Sequence, residues 1–410
     1  MTERLLVCGV GSGMDHSLGE LRSPRRELVV VTDTPTERAR EAADTLLACD
    51  PADAGAVLAE LSAAGVDRLD GVFSLGADNP PVISLLADRF GCPGLPVETA
   101  LDCTLKDRRL AILRGAGLDV PRFAVARSTA EAVRAVGEVG LPAVLKPCDQ
   151  TGSVGVMKVT SPGEVRERAA EALRLSPAGR IVVEEFLEGT EHTLAAFMTG
   201  GELHRFGFAD REYGRKEEFA PYFFEGGDTL PSRLSAERIE EVTDVVRRGA
   251  LALRLDPAVI NTDILVTRDG RVVLLEITCR ITGARIATEV MRLATGVDPL
   301  PNVVRLATGR PLELSELRPD RDRAAVQRFL PADGGVVEWV GNPRDVARRA
   351  GVHDVFWGMD LAPGTVVPPY RGGADVLAGV IAHADDPAEA EAVAARTLRA
   401  LPLRFKAPER

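Results

Sequence analysis

Two acidic residues, Asp263 and Glu276, occupy matching places in two β-like runs, AVINTDILVT (258–267) and RVVLLEIT (271–278). The runs are joined across Asp269-Gly270, a dipeptide that favours a hairpin turn. Strand alternation puts Asn261, Asp263 and Leu265 on one face, and Glu276, Thr278 and Arg280 on one face of the second strand and its extension. Pairing across the turn brings the two carboxylates together, where one would be driven to protonate. A divalent cation removes that penalty. Oxygen-only ligands suit Mg²⁺ or Mn²⁺, which commonly also bind a nucleotide's phosphates. Arg280 could add a permanently charged, bidentate contact to the same oxyanion. The same spacing also fits two exposed strand-end acids bridged by an arginine.

Further candidates are spread along the chain. Lys106 opens a basic helix, and Lys146 ends the apolar run LPAVLKP. Gly152, Ser153 and Gly155 follow in a loop whose backbone N–H groups could cradle phosphate. The loop is not a Walker A loop and is also compatible with a plain turn. In VVEEFLEGTE, the strand Glu184-Glu185-Phe186-Leu187 could face a flat adenine edge, and the later carboxylate Glu191 could accept ribose hydroxyls. An edge strand with solvated acids explains it equally. Arg285, just beyond Gly283, is either a partner for a substrate carboxylate or a surface residue. Cys148 and Cys279 flank these elements and read as packed thiols or as a thioester nucleophile. His192, His204, His353 and His383 have no consistent partners in the sequence. CGVGSGMD near the N-terminus invites a dinucleotide reading with Asp33, but Met14 stands where the last glycine of GxGxxG belongs.

The elements that must position these groups follow from periodicity. RLLVCGV, ELVVV and GVFSLGAD read as strands, alternating with helices over 34–50 and PPVISLLADRFG. That alternation predicts a parallel, Rossmann-like sheet ending near residue 98. The middle of the chain reads as α+β, with a strand–turn–strand in GRIVVEEFLEGTEHTLAAFMTG and a long helix from Ser235. The stretch 203–231 mixes aromatics with both charges and reads as cleft loops or a surface excursion. From about 311, short β-like pieces, among them Gln327 to Pro331, precede a final helix.

The chain has 410 residues, enough for roughly two to four packed domains. Its net charge of −11 argues against a sequence-independent nucleic-acid binder. Six cysteines and five histidines form no zinc-ligand spacing, which points to free thiols in a reducing, cytoplasmic setting. No apolar run is long enough to cross a membrane, and the N-terminus reads as a strand rather than a signal peptide.

The order Lys106, Lys146 with its glycine loop, VEEFLEGTE, Asp263 and LEITCR resembles the ATP-grasp superfamily over most of the chain, and within it the carboxylate–amine ligases of the L-amino acid ligase type. The resemblance implies an α/β ATP-grasp fold. Its parts would be a Rossmann-like pre-grasp domain (1–98), a grasp domain (99–310) with a lid subdomain over about 121–188, and a small α+β, biotin-carboxylase-like closing domain (311–410). It implies that Lys106 and Lys146 hold ATP phosphates under a loop of Gly152, Ser153 and Gly155. Glu184, Glu185, Phe186 and Leu187 would line the adenine pocket, and Glu191 would meet the ribose. Asp263 and Glu276 would bind Mg²⁺ or Mn²⁺, and Arg280 the transferred phosphate or acyl oxygen. The implied partners are a small-molecule carboxylate and an amine, with no nucleic acid or membrane; related enzymes are often homodimers. The chain departs from the family's E-x-N-x-R run, because Thr278 stands in place of the Asn. A bicarbonate-using carboxylase and a non-catalytic ATP-binding module are the alternative readings.

Overall fold

The computed structural model of the protein describes residues 2–406. The first unit is a four-stranded parallel sheet in the order Thr45–Leu47, Arg26–Val31, Glu3–Val10, Gly71–Leu75. Its strands are apolar on both faces because both faces are covered. Leu6, Cys8, Val29 and Val31 pack with Val57, Leu61 and Leu86 of the helices Ala54–Ala63 and Pro80–Phe90. Leu5, Val7, Leu28 and Val30 face the rest of the molecule, where Met14, Ile286 and Met291 join them. The helix expected over 34–50 stops at Ala42, and Thr45–Leu47 forms an edge strand instead. Asp44 ends the helix because its carboxylate accepts from Leu28 N (2.8 Å), which commits the next residues to the sheet.

A further helix, Val97–Thr104, follows Pro96 and leads directly into Lys106–Gly115. Then comes a small antiparallel sheet, Phe123–Ala126, Ile181–Glu185, Ala143–Pro147, Met157–Val159, within the stretch expected as the lid. The helices Thr129–Val139 and Pro162–Leu175 cover it through small residues, Ala132, Ala135, Ala169 and Ala172.

The largest element is an eight-stranded sheet whose neighbouring strands are all antiparallel. Its order is Val272–Thr278, Ala258–Thr267, Gly189–Thr199, Glu202–Arg211, Gly227–Leu230, Ala324–Pro331, Val376–Ala384, Val352–Trp357. It runs without interruption past residue 311, so the C-terminal region shares its hydrogen-bond ladder with the grasp region. It also corrects the reading of 203–231 as loops. Phe206 and Phe208 are buried, Glu202–Arg211 is an interior strand, and only 212–226 leaves the sheet. The charges in that stretch obscured the alternation: Arg205 pairs with Glu240, Asp210 with His192 and Arg211 with Asp263. The long helix Ala236–Ala252 packs Val242 and Val246 against Leu274 and Ile277 on the opposite face. Burial of such side chains contributes about 1.5–3 kcal/mol each. No helix among the described residues is long and apolar enough to cross a membrane.

Candidate active site

The hairpin of the two acids forms as its spacing predicts. Gly270 takes φ +86°, and Asp263 pairs directly with Glu276, with a bulge between Asp263 and Ile264. The like charges do not stand alone. Arg211, from the interior strand, places Nη1 2.6 Å from Asp263 Oδ2 and also pairs with Glu225. Arg109 places Nη1 3.4 Å from Glu276 Oε1 and donates to Cys103 O at 2.7 Å. Burial pushes both acids up, but their surroundings split them. For Glu276, Arg109, Lys106, Arg280 and Lys146 outweigh burial and hold the carboxyl at about 2. For Asp263, burial together with Glu276 and Glu225 outweighs Arg211, and its affinity for a proton rises. Glu276 is thus the fixed anion of the pair.

Lys106 and Lys146 converge on the same cleft. Lys106 is 9% exposed and donates Nζ to Gln150 O, while its backbone N–H meets Cys148 O at 3.0 Å. Burial lowers its pKa, with Glu276 opposing and Arg109 and Lys146 adding to the effect. Lys146 Nζ lies 2.6 Å from Glu184 Oε2. Between them runs the glycine loop. Gly152 and Ser153 adopt positive φ (60° and 61°) and border the cleft. Gly373, from the C-terminal region, donates its N–H to Gly152 O at 2.9 Å. Gly155 lies outside the cleft lining. A Cβ there would meet Pro147 Cγ at 2.8 Å and Leu175 Cδ1 at 2.9 Å, so this glycine is required for packing beneath the loop.

Glu184, Glu185, Phe186, Leu187 and Glu191 line the same cleft, with Tyr213 and Phe223 opposite. Glu185 is fixed by Arg122, whose N and Nε lie 2.9 and 2.7 Å from its oxygens. Phe186 carries Lys158 Nζ 4.3 Å from its ring centroid and stacks with Phe223. Burial raises Glu191 to about 7, with Arg211 and Lys146 opposing.

The arginines part company. Arg280 is held by Asp78 of the first domain, Nη2 to Oδ2 3.3 Å, and leaves Nε buried without a partner. Its charge is felt at both Asp263 and Glu276. Arg285 sits elsewhere. It is 4% exposed at φ +67°, binds Glu289 at 2.7 Å and Asp354 at 2.6 Å, and lies over the Phe356 ring. Its backbone N–H packs on Met14 Sδ, so the residue that breaks the dinucleotide pattern serves as an inter-domain contact. Arg285 is neither at the surface nor in the cleft, and its guanidinium is occupied by two carboxylates. His16, which the sequence did not single out, completes this cluster at 2.9 Å from Glu289.

The residues present fit a hard divalent cation. Asp263 and Glu276 offer adjacent carboxylate oxygens, and the Thr278 hydroxyl, 1% exposed, has no hydrogen-bond partner. No group of three or more His, Cys, Asp or Glu among the described residues is arranged to hold a metal unaided. Two carboxylates completed by water and phosphate oxygens is a usual environment for Mg²⁺.

Arg109, Arg211 and Asp78 were not foreseen. Arg109 lies three residues after Lys106 on one helical face, a spacing that puts both side chains together and could have flagged it. Arg211 and Asp78 reach the site only through sheet order and domain packing.

Residues 139–289 match the model of the ATP-grasp domain, and residues 328–406 that of the L-amino acid ligase C-terminal domain 2. A protein of Sinorhizobium fredii called uncharacterized protein y4rH is 29% identical over 360 residues, covering 86% of this chain and 72% of that protein. Carnosine synthase 1 of Mus musculus is 28% identical over 318 residues, 71% of this chain but only 38% of the synthase. The crystal structure of an L-amino acid ligase from Bacillus licheniformis superposes over 99% of both chains with a TM-score of 0.81 at 22% identity, a likeness of fold. The chain thus carries a stretch matching the ATP-grasp domain and, after it, one matching the L-amino acid ligase C-terminal domain 2, on a fold shared with an L-amino acid ligase.

Proposed function

We propose that the protein joins a small-molecule carboxylate to an amine through an acyl phosphate, with cleavage of ATP to ADP and phosphate. One observation carries this reading: Lys106, Lys146, Gly152, Ser153, Glu184 to Leu187, Glu191, Asp263 and Glu276 border a single cleft. The substrate carboxylate attacks the γ-phosphoryl group and ADP leaves. The amine nitrogen then attacks the acyl carbon, phosphate leaves, and the nitrogen loses a proton as the amide forms. Catalysis of this kind is positioning and charge stabilisation. Lys106 and Lys146 face the phosphates as point charges. The apolar and acidic wall from Glu184 to Leu187 faces the base, and Glu191 the ribose. Asp263 and Glu276 would hold Mg²⁺ or Mn²⁺, which would supply positive charge against the phosphate oxygens. Arg280, steadied by Asp78, borders the cavity beside the cleft and would meet the transferred phosphate or the acyl oxygen. The loop at Gly152 excludes water, which would otherwise hydrolyse the acyl phosphate.

The test is phosphate release from ATP and Mg²⁺ across a matrix of amino acids and small carboxylates, with products read by mass spectrometry. Release that needs an acid and an amine together, with a product equal to their sum minus water, supports the reading. Release that instead follows bicarbonate, or ATP binding without turnover for any pair, removes it.

A further inference from the structure

Two thiols meet next to the cleft. Cys103 lies in the last turn of the helix Val97–Thr104, and Cys279 lies between Glu276 and Arg280. Their sulfurs are 3.4 Å apart although the residues are 176 positions apart in sequence. Neither is in a disulfide. Cys103 is fully buried, whereas Cys279 is partly exposed and lines a cavity of about 330 Å³ walled by Ser74, Pro80, Leu95, Arg280 and Leu312. A small oxidant entering that cavity therefore meets Cys279 with Cys103 directly behind it.

The positions of the pair matter. Cys103 is three residues before Lys106, and Cys279 is three residues after Glu276. Arg109 ties the two segments already, by donating to Cys103 O at 2.7 Å while lying 3.4 Å from Glu276. A bond between the sulfurs would shorten their separation to about 2.05 Å. The sulfurs would close by more than an ångström between the two segments that floor the cleft, and the residue next to Cys279 is Arg280.

We propose that Cys103 and Cys279 form an oxidisable dithiol, closed to a disulfide by a peroxide-class oxidant, which displaces the Glu276–Arg280 segment and switches off turnover. One sulfur, as thiolate, attacks a peroxide oxygen, becoming a sulfenic acid as the O–O bond breaks and hydroxide leaves. The other sulfur displaces the sulfenic oxygen and the S–S bond forms. The two thiol protons leave with the two peroxide oxygens as two waters, so the sulfurs lose two electrons and the peroxide gains them. The hydrogen bond from Cys279 and the charge of Arg109 lower the pKa of Cys103 against its burial, while that same hydrogen bond and burial raise the thiol of Cys279, the sulfur that the cavity exposes. Cys8 and Cys148 lack such help, and burial raises each thiol to about 12.

The experiment treats the full chain with hydrogen peroxide, blocks free thiols, and maps non-reduced peptides by mass. ATP turnover is measured with the substrate pair found above, and ATP affinity by calorimetry. We expect a peptide pair linked through Cys103 and Cys279, two hydrogen masses below the sum of its parts. Turnover should fall roughly ten- to a hundredfold, the range for a displacement of about 1 Å, and return with dithiothreitol. Cys103→Ala and Cys279→Ser should keep the reduced rate and lose the sensitivity. Absence of the linked peptide, or equal peroxide inhibition in both variants, overturns the proposal. The peptide map and the ATP affinity do not depend on the ligase reaction, so failure of that reading would be seen separately.

Discussion

Arg211 reaches Asp263 from the strand next but one, Nη1 to Oδ2 2.6 Å, and so places a buried cation beside the two carboxylates. The contact fixes the orientation of Asp263 before any cation arrives. Removing it leaves uncompensated buried charge, which typically costs about 3–5 kcal/mol. Arg211→Leu should therefore lower the melting temperature, and Mg²⁺ with ATP should recover more stability in the variant than in the parent. Thermal melts with and without Mg²⁺–ATP check both parts.

Glu276→Ala removes the carboxylate that stays ionised throughout the usual pH range. Transition-state stabilisation should fall by about 3 kcal/mol, the scale of a single electrostatic group. Steady-state kinetics over a range of Mg²⁺ concentrations measures this. Near-normal kcat at ordinary Mg²⁺ would take Glu276 out of the site.

Arg280 donates Nη1 to Ile281 O at 3.1 Å, holds Nη2 3.3 Å from Asp78 and keeps Nε buried without a partner. Arg280→Lys keeps the charge and loses the fork. A fall in kcat/KM of tenfold or more is expected, about 1.4 kcal/mol, with ATP affinity little changed. Unaltered kcat/KM would mean that Arg280 serves only to dock the first domain through Asp78.

Asp228 is fully buried and neither of its carboxylate oxygens has a hydrogen-bond partner. Burial, reinforced by Glu225 and opposed by Arg211 and Arg328, raises it to about 8. The folded protein therefore keeps a proton that the unfolded chain has already lost above the ordinary carboxylate range. Stability contributed through this group falls as pH rises from about 4 towards 8, and is flat beyond. Asp228→Asn should be neutral near pH 4 and increasingly stabilising up to pH 8. Melting temperatures of both proteins across that interval decide it.

Much of this was legible in the sequence because it is local. The acid hairpin needs only Asp269-Gly270 and strand alternation, and the direct pairing of Asp263 with Glu276 follows. Lys146 and the loop after it are adjacent in the chain. What was not legible is what sheet order brings together. Arg211 sits in a stretch whose charges disguised an interior strand, and Asp78 reaches Arg280 from another domain. Arg285 shows the opposite failure. A glycine bend followed by an arginine suggested a substrate contact or an exposed side chain, whereas Glu289 and Asp354, the latter 69 residues away, enclose it. A partner as distant as Asp354 leaves no periodic trace, whereas Glu289, four residues on, lies at a spacing that could have flagged the pair.

The backbone bond from Gly373 to Gly152 has a kinetic consequence. A hydrogen bond of that kind has a net worth of about 1 kcal/mol, less than two units of thermal energy. The loop and the C-terminal region are thus coupled by a latch that releases spontaneously and often. The contact requires two glycines to lie almost flush. A Cβ at Gly373 would come 3.0 Å from Gly152 O. Any side chain at Gly373 would therefore press on the backbone contact that ties the glycine loop to the C-terminal region.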